Sequence, residues 1–166
     1  MAVEIERKYV ILMPDISALS RYEGYYATDI VQTYLCSEAG VTHRVRRRTY
    51  ADRTVYTQTK KVRIDKMSSE ERERELTERE YLEFLSISDG DSKPVVKTRH
   101  SFTYRGQLFE VDIYPEWTRT CILETELADR SARAEFPPEI RVLLEVTGEW
   151  RFSNAAMARS FPTELI

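Results

Sequence analysis

Charged residues recur at every second position along much of this chain. Glu4, Glu6 and Lys8 open the series. The same spacing returns at Arg44 and Arg46, Glu73 and Glu75, Lys97 and Arg99, Glu110 and Asp112, and Glu124 and Glu126. Because residues i and i+2 of a β-strand point to the same side, each set marks one charged strand face. Apolar residues such as Ile5, Val45 and Val111 stand between them, which predicts an opposite face that packs on a core.

The pattern predicts about eight strands, joined mostly by hairpins, and a few helices. We expect strands at residues 2–12, 29–36, 41–49, 54–61, 71–76, 94–104, 107–114 and 121–128. We expect short helices after Pro14, from the Thr77–Glu80 capping box, at 131–135, from about Pro138 to Leu144, and at 153–160. Closing eight strands into a ring removes the sheet edges and leaves room for an interior site.

We therefore predict a mainly β, α+β fold in which a single domain spans residues 1–166. It is a closed eight-stranded antiparallel β-barrel, with the charged faces inside and the apolar faces outside, against the helices. Two alternatives stay open at this point. The charged faces could belong to a sandwich and meet water, and the acid- and base-rich run from Glu70 to Glu80 could be a charged surface helix.

Composition narrows the choice of partner. The 166 residues have a net charge of only -3, although 32% are charged, so many acids cancel many bases. This balance does not favour a nucleic acid partner. Cys36 and Cys121 form no metal-binding or disulfide pattern, and no apolar run reaches membrane-spanning length. A cytoplasmic protein without a signal peptide is the expectation, and a homodimer is compatible with the sequence.

The charged faces have a specific chemistry if they are enclosed. Two carboxylates about 6.8 Å apart on one strand face repel each other by about 2.4 kcal/mol at an effective dielectric constant of about 20. Divalent cations or neighbouring Lys and Arg side chains would offset that repulsion. Oxygen ligands with only two histidines in the chain suit Mg²⁺ or Mn²⁺ better than Zn²⁺. Acids and bases together indicate a site for a polyanion chelated to metal.

The order of these motifs resembles that of the CYTH proteins, also called triphosphate tunnel metalloenzymes. The opening Glu4-Ile5-Glu6-Arg7-Lys8-Tyr9 is similar to the family's ExExK signature. Further similarities are the RxR strand at Arg44–Arg46, a strand that ends in a lysine at Lys60, the KxR strand at Lys97–Arg99, and two late acidic strands. The stretch from Val146 to Asn154 resembles the segment that leads into the last helix, so the likeness covers nearly the whole chain.

The resemblance implies a tunnel in which bases hold a triphosphate and acids hold one or two Mg²⁺ or Mn²⁺ ions. Carried over residue by residue, the expected metal ligands are Glu4, Glu6, Asp112, Glu124 and Glu126. The expected triphosphate-binding residues are Lys8, Arg44, Arg46, Lys60, Lys97, Arg99 and Arg151. Glu73, Glu75 and Glu110 are further tunnel acids. Lys8, Lys60 and Tyr34 are the catalytic candidates, with Tyr34 tuning a lysine for proton transfer; an ordinary strand aromatic is the alternative for Tyr34.

The function expected from the resemblance is metal-dependent hydrolysis of a triphosphate. Inorganic tripolyphosphate, cleaved to pyrophosphate and phosphate, is the first expectation. One alternative is a nucleoside or thiamine triphosphatase, or an enzyme like the class IV adenylyl cyclases. Another is a non-catalytic polyphosphate-binding module. Five carboxylates at the expected metal site argue against the last alternative, because pure anion binding gains nothing from them.

Overall fold

A single antiparallel sheet dominates the molecule, whose computed structural model describes residues 2–166. The strands within these residues are β1 (Ala2–Leu12), β2 (Glu23–Tyr34), β3 (Val41–Thr49), β4 (Thr54–Arg63), β5 (Ser68–Leu76), β6 (Val95–Tyr104), β7 (Gln107–Ile113), β8 (Thr120–Glu126) and β9 (Val142–Glu145). The helices are α1 (Ile16–Leu19), α2 (Glu78–Leu85) and α3 (Asn154–Arg159). The mainly β, antiparallel prediction is confirmed.

Eight of the strands pair in a ring. Starting from β1, the neighbours are β5, β4, β3, β2, β6, β7 and β8, and β8 pairs again with β1. The first strand closes the ring because its two halves have different partners. Residues 2–5 pair with β5, and residues 6–12 pair with β8. Each strand therefore has one face toward the inside of the ring and one face outside.

The ninth strand corrects the sequence prediction. We expected a helix from Pro138 to Leu144, but Val142–Glu145 forms β9, which pairs with residues 9–11 of β1. Residues 9–11 of β1 no longer pair with β5, so one edge of β1 needs other hydrogen-bond partners there. The chain after Pro138 supplies them. The short helix expected at 131–135 is also wrong: the chain there is a turn followed by irregular backbone.

Local sequence explains most of the other element boundaries. Thr77 caps α2 through a reciprocal capping box with Glu80. Arg105 and Gly106 both have positive φ angles and make the tight turn between β6 and β7. β2 begins at Glu23, six residues before the predicted start, and β5 begins at Ser68, three residues early. None of the helices within residues 2–166 is long and apolar enough to cross a membrane.

Apolar packing surrounds the ring on its outer side and closes one end. Tyr9, Ile11, Phe102 and Phe109 pack with α1 outside the ring, as predicted from the alternate positions. A second outer cluster joins Val45 and Leu76 to Tyr81 of α2. The third cluster lies at one end of the ring. There Met157 and Ala158 of α3 pack on Val10, Tyr114, Trp117 and Ile122.

Candidate active site

The inner faces of the ring strands line one central cavity of about 640 Å³. Most of its wall is charged, and it carries both signs. The acids that line it within the eight ring strands are Glu4, Glu6, Glu71, Glu73, Glu110, Glu124 and Glu126. The bases from the same strands are Lys8, Arg44, Arg46, Arg48, Lys61, Arg63, Lys97 and Arg99. Charges that are far apart in sequence are thus brought together because cross-strand partners share a face.

The first group of acids lies where β1 meets β5 and β8. Burial and the neighbouring carboxylate of Glu71 raise the pKa of Glu4 to about 7. Glu6 lies directly opposite Glu126 on β8. The charge of Glu124 and burial together raise the pKa of Glu6 as well. Glu4 and Glu6 are therefore crowded by other acids, and a cation placed among them would remove the repulsion.

Lys8 places a positive charge beside Glu124, at the edge of this group of acids. Its ammonium group lies 3.2 Å from Glu124 Oε1 and donates a hydrogen bond to the carbonyl of Phe152 at 3.1 Å. Burial alone would lower the pKa of Lys8, but Glu124 and Glu6 outweigh it and raise the pKa. Burial would likewise raise the pKa of Glu124, yet Lys8 and Arg99 lower it to about 2. Both groups are thus charged at neutral pH.

A second cluster joins β6 to β7 and lies deeper. Asp112 is completely buried and receives hydrogen bonds from Lys97 Nζ at 2.8 Å and from Arg99 Nε at 2.7 Å. A second Arg99 nitrogen, Nη1, binds Glu110 at 3.0 Å. Burial lowers the pKa of Lys97 to about 8, even though Asp112 opposes this shift. Arg99 is thereby held rigidly at the cavity wall.

Three arginines form a row along β3. Arg44, Arg46 and Arg48 all line the cavity, and their buried Nε atoms make no hydrogen bond within the part of the chain described. Burial and the two flanking arginines lower the pKa of Arg46 to about 10. Buried donors without acceptors cost free energy. Although Glu73 binds Arg46 Nη2 at 2.7 Å, the row therefore still offers unused Nε donors to an anion.

Tyr34 lies on the neighbouring strand, beside this row. Its hydroxyl accepts a hydrogen bond from Gln32 Nε2 at 2.6 Å, and both side chains line the cavity. Tyr34 is directly opposite Arg44 across β2 and β3, and its hydroxyl supports the charge of that guanidinium. The partners of Tyr34 in this structure are thus an amide and an arginine. The pairing of Tyr34 with Lys8 or Lys60, expected from the sequence, has no contact of this kind among the described residues.

The structure corrects the expected position of Lys60. We expected Lys60 inside the ring, but it is exposed and absent from the cavity wall, whereas the adjacent Lys61 lines that wall. The cross-strand register gives the reason, because Arg44 is opposite Thr59, so the odd-numbered residues of β4 share the inner face with the even-numbered arginines of β3. Lys61 Nζ lies 3.4 Å from Glu71 Oε1.

Three other expected site residues lie apart from the cavity wall. Arg151 is a correction, because its side chain is 63% exposed and pairs with Glu149 at 3.5 Å. Glu75 shares the inner face of β5 but does not line the cavity, so its assignment as a tunnel acid stays a prediction. Asp112 lies beneath the wall with both oxygens bound to Lys97 and Arg99. Its assignment as a metal ligand stays a prediction, and its partners give it a second role, to position those bases.

Sequence reasoning missed Lys61, Glu71 and Arg48, which all line the cavity. Glu71 and Arg48 extend the spacing-two pattern by one step, from Glu73 and from Arg46, so the signal for them was present. Lys61 had no such signal, because the register of β4 against β3 decides which of two adjacent lysines points inward.

The donor set fits a divalent cation. Glu4, Glu6, Glu124 and Glu126 are carboxylates, the ligands that Mg²⁺ and Mn²⁺ prefer. Burial and neighbouring carboxylates raise the pKa values of Glu4 and Glu6, so a cation among them would favour their ionised forms. Within residues 2–166, no three His, Cys, Asp or Glu side chains form a preformed metal cage. A cation would therefore need water or phosphate oxygens as additional ligands.

Solved structures share this architecture. The inorganic triphosphatase NE1496 is 27% identical, with a TM-score of 0.62 over 98% of each chain. The fold is that of the CYTH proteins, or triphosphate tunnel metalloenzymes. PH1819 from Pyrococcus horikoshii OT3 has the same triphosphate tunnel fold at 20% identity, with a TM-score of 0.57 over 76% of this chain and 80% of that one. No family model and no curated protein sequence matches the chain.

A protein from Hippeastrum shares the fold at lower sequence identity. HpAC1 from Hippeastrum, described as a putative adenylyl cyclase with a dominant triphosphatase activity, is 15% identical, with a TM-score of 0.50 over 78% of this chain and 80% of that one. At this identity the likeness concerns the triphosphate tunnel fold alone. A fold alone does not determine the substrate, which depends on the residues that line the cavity.

Proposed function

We propose that this protein is a metal-dependent triphosphatase that hydrolyses inorganic tripolyphosphate to pyrophosphate and phosphate. The observation that supports this most is the single cavity in which unpaired arginine donors face a group of mutually repelling carboxylates. A simple anion site needs only the arginines, and a simple metal site needs only the acids. Both are needed for a polyphosphate that arrives with a divalent cation.

The bases bind and orient the phosphate chain. Lys8, Arg44, Arg46, Lys61, Lys97 and Arg99 project from four strands into the cavity, which places positive charge on several sides of the substrate. Fixed donors of this kind stabilise the charge that builds on the transferring phosphoryl group. Tyr34, held by Gln32 and Arg44, adds a hydroxyl beside the same arginine row.

The acids Glu4, Glu6, Glu124 and Glu126 would hold the cation, and Asp112 positions Lys97 and Arg99. When bound, Mg²⁺ or Mn²⁺ would neutralise phosphate charge and favour ionisation of a water molecule. Glu4, with a pKa of about 7, is the carboxyl group that could exchange a proton near neutral pH. Water would attack the terminal phosphorus, and the bond to the bridging oxygen would break with its electron pair going to pyrophosphate.

The architecture is part of the proposal. We infer that the ring of eight strands is a closed barrel and that residues 1–166 form one domain. A cytoplasmic location is consistent with Cys36 and Cys121, which are both free thiols. Tripolyphosphate is favoured as substrate because NE1496, which matches over nearly its whole length, is described as an inorganic triphosphatase.

A product assay tests the proposal. Purified protein is given tripolyphosphate, ATP or thiamine triphosphate with Mg²⁺ or Mn²⁺, and phosphate, pyrophosphate and cyclic AMP are measured. We expect phosphate and pyrophosphate from tripolyphosphate, at a higher kcat/KM than for the two organic substrates. Cyclic AMP with pyrophosphate from ATP would replace the proposal with a cyclase. Tight binding without turnover of any substrate would leave a binding module.

The metal ligands need a separate test. Glu4→Gln and Glu126→Gln remove one charge each with little change in volume. We expect both variants to need at least about tenfold more Mg²⁺ or Mn²⁺ for half-maximal rate, since each loses a hard oxygen ligand. Glu145→Gln on β9, whose side chain is 42% exposed and pairs with Arg7, is the matched control. Unchanged metal dependence in both cavity variants would rule out this ligand assignment.

A further inference from the structure

The arginine row of Arg44, Arg46 and Arg48 is not equally available along its length. The three residues occupy every second position of β3, so the Cα atoms of neighbouring members of the row are about 7 Å apart. Arg44 is at the end of the row near Glu4 and Glu71, and Arg48 is at the end near the turn between β3 and β4. A phosphate chain that follows the row from the acid group would reach Arg44 first and Arg48 last.

Glu73 binds Arg46 in the middle of this row and approaches Arg48 at its far end. Its Oε1 accepts a hydrogen bond from Arg46 Nη2 at 2.7 Å and another from the buried Thr59 hydroxyl at 3.2 Å. The same oxygen lies 4.0 Å from Arg48 Nη2. Burial would raise the pKa of Glu73, but Arg46 and Arg48 lower it, so the carboxylate is charged at neutral pH. Glu73 therefore neutralises the two outer arginines from within the protein.

The inner end of the row differs. Arg44 Nη2 is 3.8 Å from Glu71, which is longer than a hydrogen bond. Lys61 lies closer to Glu71, at 3.4 Å, and shares that carboxylate. Arg44 lies beside the neutral hydroxyl of Tyr34 and keeps its Nε donor for a ligand, whereas one arm of Arg46 is already bound to the Glu73 carboxylate. The row of arginines is therefore open at Arg44, near the acid group, and carries a carboxylate between Arg46 and Arg48.

We propose that Glu73 sets the length of the polyphosphate chain that this cavity accepts. A chain of three phosphates ends before the carboxylate, whereas a fourth phosphate would approach Arg48 and meet the negative charge of Glu73. Specificity of this kind comes from a repulsive element built against the longer ligand. This inference rests on the proposed function, because it takes tripolyphosphate as the ligand of the inner part of the row.

The test uses Glu73→Gln, which keeps an oxygen that can accept from Arg46 and removes the charge. Glu75→Gln is the matched control, because Glu75 lies on the same face of the same strand, two residues further, but does not line the cavity. Glu73→Ser is the second variant, should the amide disturb folding. Thermal unfolding of each variant establishes that it folds.

The readout is the ratio of affinities for tetrapolyphosphate and tripolyphosphate, measured by calorimetry in the presence of a chelator so that no turnover occurs. In Glu73→Gln this ratio should rise at least about tenfold over the wild type, because the like-charge repulsion is gone. In Glu75→Gln it should stay within about twofold. Adding Arg48→Gln to Glu73→Gln should abolish the gain, since Arg48 is the group that the fourth phosphate reaches.

Two results would overturn the inference. One is an unchanged ratio in both Glu73 variants, and the other is an equal rise in Glu75→Gln, which would reflect net charge alone. The hydrolysis of tripolyphosphate by the wild type is measured in parallel with Mg²⁺. Turnover with an unchanged ratio refutes only the role of Glu73. A changed ratio without turnover refutes the proposed hydrolysis and supports the length limit.

Discussion

At the scale of single residues, the face on which a side chain lies decides whether it can act in the cavity. Lys60 and Lys61 are adjacent and chemically identical, but only Lys61 lines the cavity and lies near Glu71. The two lysines thus form a natural pair for mutagenesis. The same comparison separates a specific contact with phosphate from the general attraction of positive charge.

We expect Lys61→Met to lower kcat/KM for tripolyphosphate by about 10- to 100-fold, because it removes a charged donor from an enclosed site. Lys60→Met should change kcat/KM by less than about twofold, because an exposed charge is screened. Steady-state phosphate release at constant ionic strength measures both. Equal losses in the two variants would contradict the register of β4.

The pKa of Glu4 predicts how pH affects stability. The folded-state value of about 7 lies above the model value of 4.5, so the folded protein holds a proton that the unfolded chain releases between these values. Stability without metal should therefore fall, through this group, as pH rises from about 4.5 to about 7. Asp65 and Glu124 have pKa values of about 2, so they change stability only at lower pH. The lowered pKa values of His43 and His100 change stability with pH in the opposite direction, and that contribution should not depend on metal.

A metal titration isolates the acid group. Bound Mg²⁺ or Mn²⁺ would favour the ionised carboxylates, so the rise in unfolding temperature caused by metal should be larger at pH 8 than at pH 5. Scanning calorimetry with and without metal at each pH gives the difference, in which the histidine contribution cancels. A metal-induced shift that is the same at both pH values would contradict the assignment of Glu4 to the cation site.

At the scale of secondary structure, local signals fixed some elements and long-range pairing fixed others. The bounds of β1 and β3 and the capping box of α2 follow from alternation, turn residues and caps, which act over a few positions. The segment 142–145 has a short apolar run that fits a helix or a strand equally well. It becomes β9 because β1 presents an edge there, and that edge exists only in the folded ring.

The segment between β9 and α3 contains a glycine whose geometry can be tested. Gly148 has a φ of +72°, and a Cβ on it would come within 2.6 Å of Lys66 Cβ. This close approach joins the loop after β4 to the chain that leads into α3. Both segments line the cavity, so their packing shapes one end of the site.

We expect Gly148→Ala to lower the free energy of unfolding by about 1–3 kcal/mol, through backbone strain and the clash with Lys66. Gly90→Ala is the control, because a Cβ at Gly90 meets open space and Gly90 has no positive φ angle. It should be neutral or slightly stabilising. Urea unfolding of the two variants measures the difference, and equal stability would show that the approach of the two loops is not tight.

At the scale of the whole molecule, closure of the ring makes the site. The pattern of charges was enough to predict a mainly antiparallel sheet with its charged faces inside and most of the residues on the cavity wall. It could not give the register between strands, which separates Lys61 from Lys60 and leaves Glu75 outside. Nor could it show that Arg151 is exposed, because a 3-10 turn at Trp150–Phe152 has no period that fixes a face.

The enclosed charges lead to the proposal that this cavity hydrolyses a triphosphate with the help of a divalent cation. The most direct measurement is the initial rate of phosphate release from tripolyphosphate by the purified protein with Mg²⁺ or Mn²⁺, before and after addition of a chelator. We expect release that stops with the chelator and returns when metal is restored in excess. No release with either metal, or an equal rate in the chelator, would contradict the proposed hydrolysis.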